Sequence, residues 1–124
     1  MRHDPRKLRE DIRLAIADAE MLFRGKSFDD VKSDRALQLM AERVLEIIGE
    51  ALSRLRRDHP MMATRVRDID KIIGLRNILA HGYDALDYEI LWDVIENRLD
   101  VLKGDMEFIS EPSSPEAKIP ESED

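Results

Sequence analysis

Apolar residues recur at steps of three and four along most of the chain, a spacing that is typical of amphipathic helices. The first such stretch covers residues 6–24. Pro5 suits the first turn of this helix, and Gly25 suits its end because glycine tolerates the left-handed conformation there. The apolar positions of this stretch are Leu8, Ile12, Ala15, Ile16, Ala19, Leu22 and Phe23.

A longer helix is predicted over residues 34–57, after a linker at 25–33 in which Ser27 and Ser33 are candidate helix caps. Its apolar stripe consists of Leu37, Met40, Val44, Ile47, Ala51 and Leu55, and it is widened by Ala41, Leu45, Ile48 and Leu52. Three acidic residues at four-residue spacing lie on another side of this helix: Glu42, Glu46 and Glu50. We interpret this mildly repulsive row as a solvated face rather than as a carboxylate pair for acid–base chemistry.

Two further helices are predicted over residues 68–81 and 88–109, after a turn at Pro60, with Asp68 and Asp87 as candidate N-caps. One apolar stripe of the last helix contains Tyr88, Leu91, Trp92, Ile95, Leu99, Leu102, Met106 and Ile109, and a second contains Ile90, Val94, Val101 and Phe108. A single small core needs only one stripe. The second stripe therefore lies inside the protein's own bundle or contacts a second copy, and a homodimer is the simplest form of such contact.

The composition agrees with one all-α domain. The chain has 124 residues, of which 43% are hydrophobic, 38% charged and 5% aromatic, and its Leu, Ala, Arg and Glu content favours helices. We predict an antiparallel bundle of four to five helices within residues 1–110. Residues 111–124 are rich in Pro, Ser and Glu, which predicts a disordered acidic tail.

Several kinds of site are excluded or disfavoured by the residue content. The absence of cysteine excludes disulfides, thiolate metal sites and cysteine nucleophiles. His3 and His59 have no second ligand at metal spacing, so we expect both to be exposed and predict no metal and no cofactor. Because no apolar run reaches the roughly 18 residues of a membrane helix, and no apolar signal segment begins the chain, we expect a cytoplasmic protein.

The formal net charge of −7 disfavours nucleic-acid binding, but the charge is unevenly distributed. Residues 104–124 contain seven acidic residues and one lysine, whereas residues 54–76 contain seven basic and three acidic residues. A local positive zone therefore precedes the sequence RNILAHGY at residues 76–83. A solvated helix face and a surface for an anionic partner are the two interpretations of this zone.

Arg76 is the most informative single residue. When residues 69–81 are projected on an ideal helix, Arg76 falls in the middle of the apolar stripe that Ile69, Ile73 and Ala80 define. An unpaired guanidinium buried there would be very costly. Arg76 must therefore meet a carboxylate, carbonyl groups or a cleft that accepts an anion.

On the same projection, His81 points about 140° away from Arg76. Two arrangements would bring their side chains to one site. Gly82 can end the helix and let His81 turn, or the site can be assembled across a dimer. Otherwise Arg76 is a structural ion-pair partner and His81 is a C-terminal cap that the helix dipole favours.

The sequence RNILAHGY resembles the R-x4-H-x-Y signature of the HEPN superfamily, in its HepT toxin branch, with Arg76, His81 and Tyr83 at the defining positions. The stretches IIGEA, IIGLRN and DYEILWDVIENRLDVL extend the likeness over roughly residues 6–110. The resemblance implies a helical homodimer with a cleft between its subunits, acting as a metal-independent endoribonuclease toxin. It also implies a nucleotidyltransferase antitoxin as partner, which transfers AMP to the motif tyrosine, here Tyr83.

The chemistry of these residues is compatible with RNA cleavage. His81 can act as a base or an acid near neutral pH, and Arg76 can hold phosphate through two parallel donors. Asn77 would add a hydrogen bond to a phosphate oxygen, and two copies of His81 would divide the acid and base duties. The candidate contacts to the RNA backbone are Arg54, Arg57, Arg65, Arg67 and Lys71.

Two alternatives remain open at this point. A non-catalytic helical dimer that binds a nucleotidyltransferase would show the same helical pattern. A nucleotide-binding module would use Arg76 to hold a small phosphate.

Overall fold

The computed structural model describes residues 3–81 and 87–109. Those residues contain helices and no strand, which confirms the all-α prediction. The α-helices are α1 (Pro5–Phe23), α2 (Phe28–Lys32), α3 (Arg35–Asp58), α4 (Pro60–Ala63), α5 (Ile69–Ala80), α6 (Tyr88–Asp93) and α7 (Leu99–Asp105). A π-helical turn, Val94–Arg98, joins α6 to α7, and a 3-10 turn, Glu107–Ile109, follows α7. The predicted acidic tail, 111–124, lies outside the described residues.

The three long predicted helices begin where local capping chemistry places them. The Asp4 carboxylate accepts a hydrogen bond from the Arg6 amide, and the Asp34 carboxylate accepts from the first turn of α3. Asp87 accepts from the Glu89 amide at the start of α6, as predicted. Gly25 has a φ of 75°, which is the left-handed conformation predicted after α1.

Ser27 is confirmed as a helix cap, but three other predictions about caps and the linker are wrong. The linker contains α2, which begins with a reciprocal capping box: the Ser27 hydroxyl accepts from the Asp30 amide, and the Asp30 carboxylate accepts from the Ser27 amide. Asp34, not Ser33, caps α3. Asp68 precedes α5 but makes no capping hydrogen bond, because its carboxylate accepts from the Arg98 guanidinium at 2.8 Å.

α3 is the central helix of the bundle and packs mainly against α1 and α5. Its residues Leu52 and Leu55 are completely buried, as is Ile72 of α5. Leu8 and Ile12 of α1 are also buried, so one apolar core joins the three helices. This packing fixes the relative position of α3 and α5, on which the candidate site is built.

The last predicted helix is interrupted by the π-helical turn, which explains its second apolar stripe. A π turn inserts one residue and shifts the phase of the buried face. Val94 and Ile95 are consequently both buried although they are neighbours in sequence, whereas Ile90, of the same predicted stripe as Val94, is 42% exposed. Trp92 packs edge-on against Phe23, with ring centroids 5.7 Å apart. Within one chain, Val94 of the second stripe is therefore buried, and Phe108 is partly buried against the same core.

His59 is buried, contrary to the expectation that it is an exposed turn residue. Only 5% of its surface is accessible, and its Nε2 donates a hydrogen bond to the His3 carbonyl oxygen at 2.5 Å. The Nδ1 and the amide of His3 lie 2.8 and 2.9 Å from the Asp58 carboxylate. These contacts join the start of α1 to the end of α3, across a sequence separation that no local pattern reveals.

Candidate functional site

Arg76 lies where α5 crosses closest to α3. The α5 residues Ile72 and Ile73 are buried against the core, while the side chain of Arg76 is half-buried, with 27% of its surface exposed. A Cβ atom on Gly49 of α3 would lie 2.4 Å from Cβ and 2.7 Å from Cγ of Arg76. Gly49 therefore leaves the space in which the aliphatic stem of Arg76 packs.

Glu50, the residue after Gly49, meets the guanidinium of Arg76. Arg76 donates from one terminal nitrogen to Oε1 of Glu50 at 2.5 Å. Arg54, one turn further along α3, donates from Nε to the other carboxylate oxygen at 2.9 Å. We call Glu50, Arg54 and Arg76 the Glu50 cluster. It places two cations on one carboxylate, and all three side chains are partly exposed.

The glutamate row on α3 is only partly the solvated face that the sequence predicted: its side chains are 24%, 50% and 35% exposed, but each has a partner. Glu42 accepts a hydrogen bond from the Tyr88 hydroxyl, Glu46 pairs with Arg43, and Glu50 belongs to its cluster. Glu50 is the site residue that sequence reasoning missed. The spacing of Glu42, Glu46 and Glu50 could have indicated it, because like charges stacked on one helix repel unless cationic partners lie nearby.

Two open depressions meet beside the Glu50 cluster. The first is lined by Asp11, Arg43, Glu46, Ile47, Glu50, Ala51, Arg54 and Arg76. The second is lined by Leu39, Glu42, Arg43, Glu46 and Leu79. The two depressions share the lining residues Arg43 and Glu46, and we call them together the groove. Arg76 lines the first depression.

Asn77 contacts both motif residues that the structure describes. Its side-chain oxygen accepts a hydrogen bond from Arg76 at 3.3 Å, and its carbonyl oxygen lies 2.7 Å from Nδ1 of His81. A carbonyl oxygen can only accept, so Nδ1 of His81 carries a proton. In a neutral imidazole the lone pair is then on Nε2, which is the tautomer that a general base needs.

His81 follows the last residue of α5, and its side chain is exposed. Nδ1 of His81 contacts the Asn77 carbonyl, whereas the Arg76 guanidinium meets Glu50 of α3, so these two groups point in different directions within one protomer. Gly82 and Tyr83 lie outside the described residues.

The five candidate RNA contacts lie in two different regions of the structure. Arg54 belongs to the Glu50 cluster and lines the groove. The other four already have partners elsewhere: Arg57 with Asp58 at 3.1 Å, Arg67 with Asp105 at 3.0 Å, Lys71 with Asp93 at 3.7 Å, and Arg65 over the Phe108 ring at 4.1 Å. Arg56 pairs similarly with Asp70 at 2.6 Å. We call residues 56–71 the basic segment.

Within residues 3–81 and 87–109, no three His, Asp or Glu side chains group as ligands for a metal ion. In the same ranges, no helix is both long and apolar enough to cross a membrane.

Comparison with known proteins identifies the family. The model of the family described as "Ribonuclease HepT-like" matches residues 12–109, which include Glu50, Arg76 and His81. The chain belongs to the HepT-like family. This HepT-like chain is 33% identical over 102 residues to a protein of Thermococcus cleftensis named as a probable ribonuclease HepT, covering 79% of this chain and 88% of the relative.

A second relative, from Methanocaldococcus jannaschii, is named as a candidate RNase. It is 29% identical to the HepT-like chain over 82 residues, covering 66% of this chain and 74% of the relative. No solved structure matches the chain.

Proposed function

We propose that this HepT-like chain is a metal-independent endoribonuclease toxin in which Arg76 and His81 act on the scissile phosphate. The observation that carries the proposal is the geometry of residues 76–81: an arginine that lines a groove, and an imidazole whose Nδ1 proton is fixed by a carbonyl. The names of the relatives as ribonucleases support it. The RNA substrate is a tRNA or an mRNA.

The proposed reaction needs no metal to supply charge or a nucleophile. Nε2 of one His81 takes the proton of a 2′-hydroxyl, and the resulting oxygen attacks the adjacent phosphorus. Arg76 stabilises the charge that develops on the phosphate oxygens, and Asn77 adds a neutral hydrogen bond. The bond to the 5′-oxygen breaks, and a protonated His81 gives that oxygen its proton. The products are a 2′,3′-cyclic phosphate and a 5′-hydroxyl.

In an in-line displacement the attacking 2′-oxygen and the leaving 5′-oxygen lie on opposite sides of the phosphorus, so we propose that a second copy of the chain supplies the other imidazole. The homodimer would bring two grooves together. Exposed apolar side chains beside the groove support a dimer contact there. Leu39 and Met40, at the start of α3, are 49% and 42% exposed, and Leu39 lines the groove with Leu79. Exposed apolar side chains around a polar groove are typical of a contact surface.

The backbone contacts of RNA involve Arg54 first, because it lies in the groove beside Arg76. Arg57, Arg65, Arg67 and Lys71 would add weaker contacts, since each would have to share its charge with the partner that it already has. Such binding weakens as salt concentration rises.

The cleavage experiment uses labelled tRNA and mRNA in EDTA. Wild-type protein is expected to cleave, and Arg76→Ala and His81→Ala are each expected to lose about 100-fold or more of the rate. Arg56→Ala serves as the matched control, because Arg56 lies outside the groove, is not a candidate RNA contact and pairs with the exposed Asp70. Cleavage that survives both motif substitutions, or that requires a divalent metal, would contradict the proposal.

We also propose that a nucleotidyltransferase antitoxin neutralises the protein by transferring AMP to Tyr83. The adenylate would add bulk and a negative phosphate two residues after His81 in sequence, which would oppose binding of RNA by occlusion and repulsion. Intact mass after co-expression with such a transferase should rise by one adenylate, and the increase should be absent in Tyr83→Phe. An unchanged mass would remove this regulation without affecting the nuclease proposal.

The ion pair between Arg76 and Glu50 favours a second candidate, a non-catalytic helical dimer that binds a nucleotidyltransferase or a free nucleotide. In a dimer that binds the transferase, the guanidinium has a structural role and the groove is a binding surface. In a nucleotide-binding module, Arg76 holds the phosphate of the nucleotide. Stable co-purification with the transferase, or stoichiometric nucleotide binding, together with no RNA cleavage would support this alternative.

A further inference from the structure

We propose that Glu50 is the positioning residue of the site: its carboxylate sets the orientation of the Arg76 guanidinium, and Arg54 fixes that carboxylate. This inference rests on the proposed function, since it assigns a role in phosphate binding that Arg76 has only if the protein cleaves RNA.

Each carboxylate oxygen of Glu50 accepts a hydrogen bond from a different arginine. Oε1 accepts from a terminal nitrogen of Arg76 at 2.5 Å, and Oε2 accepts from Nε of Arg54 at 2.9 Å. Arg54 and Glu50 are one helical turn apart on α3, so their pair is set by a single helix. A contact within α3 therefore orients the Glu50 carboxylate independently of Arg76, which lies on α5.

Arg76 is held at two points along its length. Its stem packs over Gly49, where a Cβ atom would leave no space, and its tip meets Glu50 in the next position of the same helix. The Nε atom has no exposed surface and no hydrogen-bond partner in the described part of the chain. The terminal nitrogens donate to Glu50 and Asn77, so these contacts hold the guanidinium in one orientation. Each terminal nitrogen has a second N–H, and that pair can contact a phosphate.

The net charge of the Glu50 cluster allows two roles of Glu50 to be distinguished. Glu50 either orients Arg76 for phosphate binding or only fills the position that a phosphate would take. Two guanidiniums on one carboxylate leave a net positive charge, so the cluster still attracts a phosphate while Glu50 is present. Removing the charge of Glu50 should strengthen RNA binding and weaken catalysis, because the cluster gains net positive charge while the Arg76 guanidinium loses the contact that orients it. A purely structural role would not separate the two effects.

The decisive comparison is Glu50→Gln against Glu46→Gln. Glu46 lies one turn earlier on α3, lines the same groove and pairs with Arg43 instead of Arg76. Both variants remove one negative charge from the groove, so both should lower KM for RNA to a similar extent. Only Glu50→Gln should lower kcat, by about 10- to 100-fold, as expected when a catalytic group is misplaced by about 1 Å.

Equal kcat values for the two variants would overturn the inference and leave the proposed function intact. An increase of kcat in Glu50→Gln would also overturn it, because Glu50 would then be an inhibitor that occupies the phosphate position. Thermal unfolding of both variants verifies that they are folded.

If the wild-type protein cleaves no RNA, the proposed function is overturned instead. A double-mutant cycle then tests separately whether Glu50 and Arg76 interact. The thermal midpoints of Glu50→Gln and Arg76→Gln should be non-additive, whereas those of Glu46→Gln and Arg76→Gln should be additive. Additivity in both cycles would show that Glu50 does not hold Arg76.

Discussion

The Glu50 cluster and the basic segment are both rich in arginine, but their carboxylates are distributed differently. In the Glu50 cluster, one carboxylate is shared by two guanidiniums. In the basic segment, most cations have a carboxylate of their own: Arg56 has Asp70, Arg57 has Asp58, Arg67 has Asp105 and Lys71 has Asp93.

The difference teaches that a count of charges along a sequence does not identify a phosphate-binding face. Residues 54–76 are positive in sequence, but two of the carboxylates that balance the basic segment, Asp93 and Asp105, come from beyond that window. The local ratio of cations to carboxylates in space is what a phosphate encounters. By that measure each region has one more cation than carboxylate, but the excess is distributed differently. In the Glu50 cluster it adjoins a shared carboxylate beside the groove, whereas in the basic segment it belongs to Arg65, which lies over the Phe108 ring.

The largest expected effect comes from replacing arginine by lysine in each region. Arg76→Lys keeps the charge but removes the planar fork, so RNA cleavage should fall by about 100-fold. Arg67→Lys, which changes a cation that pairs with Asp105, should leave the cleavage rate within about twofold. Steady-state kinetics of both variants measures the contrast. Similar losses in both variants would erase the distinction between the two regions.

The close approach of α3 and α5 at Gly49, beside the Glu50 cluster, can be tested by substituting glycines. Gly49→Ala should destabilise the fold by roughly 1–3 kcal/mol and lower activity, because its Cβ would overlap the stem of Arg76. Gly74→Ala, on α5, meets nothing within 4 Å and should stabilise the helix by roughly 0.5–1 kcal/mol. Chemical denaturation measures both. A tolerated Gly49→Ala would show that α3 and α5 need not approach so closely.

The salt dependence of RNA binding gives a smaller but direct comparison. Arg54→Ala should reduce the slope of log affinity against log salt by about 1, as loss of one phosphate contact predicts. Arg67→Ala should reduce it less, because Arg67 is already neutralised by Asp105. Titrations on a catalytically inactive His81→Ala background allow the measurement without cleavage. A larger change for Arg67 would move the RNA contact to the basic segment.

The smallest effect concerns the carboxylate of Asp58 at the edge of the basic segment. The hydrogen bonds from His3, and then the Arg57 guanidinium, hold the pKa of Asp58 well below its ordinary value of 3.8. A carboxyl with a depressed pKa contributes stability above its unfolded pKa and loses it as the pH falls toward the folded value. The contribution of Asp58 should therefore be complete at pH 6 and decline below about pH 4.

Thermal unfolding of wild-type protein and Asp58→Asn tests this sign. The wild type should have the higher midpoint at pH 6, and the gap should narrow as the pH falls from about 5 to 3. Asp93→Asn, which removes a looser pair with Lys71, is the control and should change the midpoint little at either pH. A gap that widens on acidification would mean that Asp58 is not held in its charged form.

Much of the fold follows from the sequence because its causes are local. The apolar spacing depends only on the geometry of a helix, and Asp4, Asp34 and Asp87 cap amides two or three residues away. The family signature is local too, since Arg76 and His81 lie in one segment. Even the buried position of Arg76 was readable, because a projection of thirteen residues places it among apolar neighbours.

The tertiary structure decided which groups meet across the bundle. Arg76 and Glu50 are 26 residues apart, Arg67 and Asp105 are 38 apart, and the ring of His59 and the carbonyl of His3 are 56 apart. The π-helical turn likewise redirects Val94 into the core, against a regular helical projection. A sequence pattern fixes which face a residue occupies on its own helix. The partner on the other side depends on how close two helices approach, and here Gly49 permits the approach that joins Arg76 to Glu50.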